Sequence, residues 1–175
     1  KHTINITGNN AVPASTYAWN EGDKGATYFV DSREHIEGGH SLRLVTPTEN
    51  GGVRLRFFPV RILKGKTYML SVWAKADIES GNSSNFKNSP RFELRLGEYG
   101  GEVFFPGKEW KHFVTSVSIP NDTIASPRVN AILRMPWKGT AWFDMLQVFE
   151  AVDILKSVNP EIKKKGLFEF NIDQD

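Results

Sequence analysis

The chemistry legible in this sequence is carried by arginines set two residues apart. In Arg91-Phe92-Glu93-Leu94-Arg95-Leu96, apolar residues alternate with Arg91, Glu93 and Arg95. Val53, Leu55 and Phe57 alternate in the same way with Arg54, Arg56 and Phe58, and Val129 to Arg134 again leaves a cation on the polar side. Successive side chains of a β-strand point to opposite faces, so each segment presents one apolar and one cationic face. A guanidinium group is a planar fork that pairs bidentately with carboxylate or sulfate and stacks on flat rings. Arg54, Arg56, Arg91, Arg95 and Arg134 on one sheet would suit uronic acids or sulfated sugars. The alternative is a solvated face on which Glu93 and Glu102 pair with arginines across strands.

Sugar rings also pack their C–H faces on aromatic side chains. Phe58 and Phe104 are read with the parity of the cationic face. Tyr99, in the Glu98-Tyr99-Gly100 turn, and Trp137, in Pro136-Trp137-Lys138, fall in loops at its rim, although a Trp tucked over a sandwich edge is the competing reading. Trp19, Trp110 and Trp142 are assigned to the core or its lids, and Trp73 to an outer sheet face. Asp144 lies in a strand otherwise rich in large apolar residues, where a buried carboxylate must be paired or bind a cation. Calcium takes oxygen ligands of this kind, with Glu37 and the carbonyls of Gly38 and Gly39 as companions; a hydrogen-bonded structural acid is the other reading. Catalytic constellations are thin. There is no Gly-rich phosphate loop, no His-x-x-x-His pair and no nucleophile elbow, and the four histidines are dispersed.

Residues placed this way need strands to hold them. A chain of 175 residues is expected to form one domain with a sizeable core. A hydrophobic content of 39% and a charged fraction of 24% set disorder aside. A net charge of +2 is too small for a nucleic-acid protein, so any electrostatic function is local. No apolar run is long enough for a membrane helix. The absence of cysteine excludes disulfides and thiolate metal sites and is compatible with a secreted bacterial protein. A start at Lys1 without a signal peptide reads as a mature or excised chain.

Strand signals recur near Thr3–Ile6, Ala26–Val30, Ser41–Thr46, Gly52–Phe58, Thr67–Ala76, Arg91–Leu96, Glu102–Phe105, Lys111–Ile119, Val129–Arg134 and Ala141–Phe149. Glycine-rich turns separate them, and no long segment has helical periodicity. The expected fold is all-β, a jelly-roll β-sandwich of two antiparallel sheets. In jelly-roll winding, Ser41–Thr46, Ala141–Phe149, Thr67–Ala76 and Lys111–Ile119 share one sheet. Gly52–Phe58, Val129–Arg134, Arg91–Leu96 and Glu102–Phe105 share the other, which gathers the three arginine-bearing strands. The domain is read as 1–150. The tail, 151–175, is a linker or adds a strand through Gly166-Leu167-Phe168-Glu169-Phe170-Asn171-Ile172.

Four segments carry a family resemblance. Gly39-His40-Ser41-Leu42-Arg43-Leu44 resembles the Gly-x-Ser-Leu-x-Leu strand of the family 4, 9 and 22 carbohydrate-binding modules. Gly65 to Ala76 is similar to their Gly-x-x-Tyr-x-Leu-Ser-x-Trp-x-Lys-Ala strand, and Trp110-Lys111-His112-Phe113 resembles the Trp-x-x-Phe opening of the next. Ala141-Trp142-Phe143-Asp144 matches the closing strand with its Phe-Asp pair. The resemblance implies a jelly roll that binds polysaccharide on a concave sheet or at loop tips, often with structural calcium, and has no catalytic residues. It further implies a secreted or cell-surface location beside a catalytic domain of a glycoside hydrolase or lyase. The Gly-Phe-Glu signature near the N-terminus, whose Glu commonly meets calcium, is replaced by Val12 to Glu21. A spacer that packs on a catalytic domain is the alternative. A third reading, from the likeness of Arg91-Phe92-Glu93-Leu94-Arg95 to a family 7 alginate lyase strand, lacks the Gln-x-His and Tyr-Phe-Lys-Ala-Gly strands of those enzymes.

Overall fold

A computed structural model describes residues 2–3, 17–21, 26–48, 52–77, 89–123 and 128–151, with backbone alone for 2–3, 17–21 and 58. Eleven strands are formed among them: β1 (His2–Thr3), β2 (Tyr17–Glu21), β3 (Thr27–Asp31), β4 (Ser41–Thr46), β5 (Gly52–Arg61), β6 (Thr67–Asp77), β7 (Phe92–Leu96), β8 (Gly101–Phe104), β9 (Lys111–Ser118), β10 (Arg128–Met135) and β11 (Gly139–Glu150). One sheet has the order β3-β4-β11-β6-β9, with β1 also on β11, and the other β2-β5-β10-β7-β8. Every pairing is antiparallel. The two sheets expected from jelly-roll winding are both present, and β2 and β3 extend their edges. Ile4–Ile6 of the first expected strand and all of 152–175 lie outside the described residues.

The inner faces are built from period-two apolar residues. Leu55, Phe57, Phe92 and Leu94 of one sheet meet Leu70, Val72 and Val117 of the other, all buried. Phe92 sits edge-on to Phe113 and Phe143, with centroids 5.2 Å and 5.1 Å away. Burying one such aromatic ring contributes roughly 1.5–3 kcal/mol.

Two bulges break the alternation. In β5, the step from Arg56 to Pro59 matches only Ile132 to Asn130 on β10, so β5 carries one extra residue. The Asn130 side-chain amide donates to the Phe57 carbonyl at that point. In β11, the step from Asp144 to Gln147 matches Trp73 to Ser71, and Met145 takes a φ of 51°, in the left-handed region. Before this bulge β11 pairs with β4; after it, with β1.

Candidate functional site

The cationic face is the outward face of the second sheet. Its rows follow from strand register. Arg54 on β5 pairs with Arg134 on β10, which pairs with Glu93 on β7, which pairs with Val103 on β8. The next row runs Arg56, Ile132, Arg95, Gly101. Trp19 and Tyr17 of β2 are the register partners of Arg54 and Arg56. The bulge in β5 restores the outward phase at Arg61, opposite Arg128, and both are exposed.

Glu93 organises the centre. Arg95 Nη1 donates to its Oε1 at 3.0 Å, and Arg134 Nη1 lies 3.7 Å from its Oε2. Arg91 Nη2 donates to the Pro136 carbonyl at 3.1 Å, which fixes that fork just before β7. Ile132 lies between Arg56 and Arg95 in register and is only 4% exposed, whereas the two arginines beside it are half-buried. Half-buried arginines gain more from a bound anion than fully solvated ones, because less water must be displaced and screening is weaker.

The aromatics are arranged differently from the sequence expectation. Phe104 is in register with Phe92 and packs on the core, 5.4 Å from the Phe92 ring and 5.2 Å from Phe113. Val103, 45% exposed, takes the arginine face instead, and alternation sends Phe105, 47% exposed, the same way. The run Val103-Phe104-Phe105 carries no parity mark of its own, which is why counting failed there. Trp137 is buried in the core cluster rather than exposed at the rim. It lies over Gly139, where an added Cβ would fall 2.2 Å from its ring. Tyr99 is half-buried against the core. Phe58 falls at the β5 bulge, and its side chain lies outside the described residues. Arg61, Arg128, Val103 and Phe105 are the face residues that sequence reasoning missed.

Asp144 is buried, and both its oxygens accept backbone hydrogen bonds. Oδ2 takes the N–H groups of Ile36 and Glu37, at 2.8 Å and 3.2 Å, and Oδ1 takes that of Met145 at 2.7 Å. Three N–H dipoles aimed at this carboxylate stabilise its charge in a buried setting. Glu37 approaches through its N–H while its residue stays exposed. Among the described residues no cluster of three or more acidic, histidine or cysteine side chains forms. Asp144 is thus a hydrogen-bonded structural acid that ties the loop after β3 to β11.

The outward face of the first sheet holds a second cationic–aromatic set. The register row Phe29, Arg43, Trp142, Lys75 continues to Trp110 beside β9. The Arg43 guanidinium lies 5.0 Å from the Phe29 centroid and 5.2 Å from Trp142. Lys75 Nζ lies 5.0 Å from Trp142 and 5.5 Å from Trp110. Lys75 also pairs with Glu34, and Arg43 stands 3.7 Å from Asp31. Burial pushes the Asp31 carboxyl up, but the Trp142 indole N–H, the Arg33 and Glu34 N–H groups and the Arg43 charge together hold it below its ordinary value. Trp142 and Trp110 are thus surface-brace residues, not core or lids. Trp73 stands on this face as expected and stacks on His112 at 5.1 Å.

Solved structures with this architecture are similar to the chain at low identity. A family 4 carbohydrate-binding module matches at 20% identity and a TM-score of 0.51, over 78% of this chain and 86% of its own. The family 22 module of Clostridium thermocellum Xyn10B matches at 20% identity and 0.50, over 77% and 84%. The fold is theirs. A cyclase from Fischerella sp. TAU, solved with an indole ligand, shares it at 13% identity and a TM-score of 0.59, over 81% and 87%. In two longer matches, a bacteriophage tailspike and an arabinofuranosidase, the chain spans 20% and 25% of the matched protein. No family model and no curated protein matches the sequence.

Proposed function

We propose that this domain is a non-catalytic carbohydrate-binding module whose arginine face takes an acidic polysaccharide. Its place would be in a secreted glycan-degrading protein, where it tethers a catalytic domain to substrate and raises local concentration. The observation that carries this reading is the concentration of Arg54, Arg56, Arg91, Arg95 and Arg134 on one sheet face of a sandwich folded like the family 4 and 22 modules. Guanidinium forks supply carboxylate or sulfate recognition, and the exposed Val103 and Phe105 supply apolar contact at the rim. Catalysis on the same fold, as in the Fischerella cyclase, would need an acid–base pair. Among the described side chains of this face the one carboxylate is Glu93, ion-paired with Arg95.

Affinity gels or calorimetry with polygalacturonate, alginate and chondroitin sulfate, set against neutral xylan, test the proposal. Acidic glycans should bind, more weakly as salt is added. Retention on neutral xylan alone, indifferent to salt, would refute the assignment.

A further inference from the structure

The arginine face is not equally cationic in every direction. Across the strands, the row that begins with Arg54 and Arg134 continues to the acid Glu93 and then to Val103. Along β5 and β10 the sign never changes, because neither strand contains an acid. The outward positions of β10 are Arg134, Ile132, Asn130 and Arg128, and those opposite them on β5 are Arg54, Arg56, Pro59 and Arg61. Arg54 faces Arg134 at one end, and Arg61 faces Arg128 at the other. Six residues separate Arg134 from Arg128, which is about 20 Å of antiparallel strand. The β5 bulge completes the line: strict alternation from Arg54 would turn residue 61 inward, and the extra residue turns it out, where it is exposed. Glu150 lines the same recess as Arg61 but has a cation of its own, Lys66, at 3.1 Å.

We propose that this double row is a track for a linear polyuronate, which lies along β5 and β10 with several sugars held between the Arg54–Arg134 end and the Arg61–Arg128 end. The inference rests on the acidic-glycan reading above and adds to it a direction, a length and two residues, Arg61 and Arg128. A polyanion laid across the sheet would leave the cations of β5 and β10 for Glu93, and like charges brought together at an interface are unfavourable. Laid along the strands, the same chain meets cations at both ends and the uncharged Ile132, Asn130 and Pro59 between them. A repeating carboxylate suits such a track. Each partly exposed cation contributes little alone, and the contributions accumulate as one chain engages both ends. A disaccharide is too short to do so.

Calorimetry of the full chain with oligogalacturonates from dimer to hexamer tests the track. Affinity should climb with length, and hexamer binding should be the more sensitive to salt. Arg61→Gln combined with Arg128→Gln should weaken hexamer binding about tenfold and leave dimer binding within about twofold. Arg61→Lys combined with Arg128→Lys keeps both charges and should recover most of the hexamer affinity. Equal affinity of the wild type for dimer and hexamer would overturn the track. So would a hexamer indifferent to the glutamine pair yet weakened by Arg95→Ala, an outcome that leaves the arginine face standing as the glycan site. Failure of every acidic oligomer to bind would overturn both readings. A single-stranded oligonucleotide held as tightly as the hexamer would overturn the assignment to a glycan.

Discussion

The two outward sheet faces use cations in opposite ways. On the β3-β4-β11-β6-β9 face, Arg43 and Lys75 are each held between two aromatic rings and near an acid, Asp31 or Glu34. On the β2-β5-β10-β7-β8 face, Arg95 and Arg134 share the single acid Glu93, while Arg54 is set opposite Arg134 and Arg61 opposite Arg128 in register. Cations enclosed by the protein's own rings and acids brace a sheet. Cations that outnumber the acids beside them among the described residues create a field suited to an anion from outside. Mutations should therefore divide cleanly: stability effects on the first face, binding effects on the second.

The sharpest break of that division would come at Trp142. Trp142→Ala removes the ring shared by Arg43 and Lys75 and should cost about 3 kcal/mol, or roughly 6–12 °C in Tm, while glycan binding is unchanged. A loss of binding at constant Tm would reverse the roles of the two faces. Asp144→Ala strands three backbone N–H groups and should cost about 2 kcal/mol by thermal melting. A wild-type Tm that falls in excess chelator while that of Asp144→Ala does not would assign calcium to this site.

On the other face, Arg95→Ala should weaken acidic-glycan binding about tenfold, equivalent to about 1.4 kcal/mol. Its Tm should barely move, because partly exposed ion pairs contribute about 0–1 kcal/mol. The smallest effect is in acid. The Asp31 carboxyl is held below its ordinary 3.8 in the folded state, so its contribution is fully present above that pH and lost as pH falls through the lower folded value. Wild type and Asp31→Asn should differ by a constant amount from pH 5 to 8 and converge below about pH 4, read by denaturant midpoints.

The sheet assignment was legible because β6, β7 and β9, and β5 as far as Phe57, keep a period of two. Lys111–Ser118 is the plainest case, with Phe113, Thr115 and Val117 buried at every second position. Reading failed where local chemistry overrides that period. Phe57-Phe58 offers no polar marker, so the extra residue of the β5 bulge, and with it the outward turn of Arg61, is invisible in sequence. Edge strand β8 is exposed along most of its length, which removes the contrast that would have separated Phe104 from Phe105. Trp142 was assigned by hydrophobicity, although its position next to Phe143 already gave it the outward parity. The same is true of β2: Tyr17-Ala18-Trp19-Asn20-Glu21 is a short edge strand defined by its register with β5.

The place of β11 in the first sheet constrains the birth of the domain. It is the last described strand in sequence, yet it lies between β4 and β6, and its Asp144 caps the loop that follows β3. Until β11 leaves the ribosome, that sheet can exist only as two separate pieces, β3-β4 and β6-β9. A nascent chain must therefore carry roughly 140 residues of unclosed sandwich, its apolar inner faces uncovered, at about 5–20 residues per second. Chaperone contact during synthesis should concentrate on those faces and fall away once Glu150 is free. A premature stop anywhere before Gly139 should then yield an aggregating fragment rather than a smaller domain.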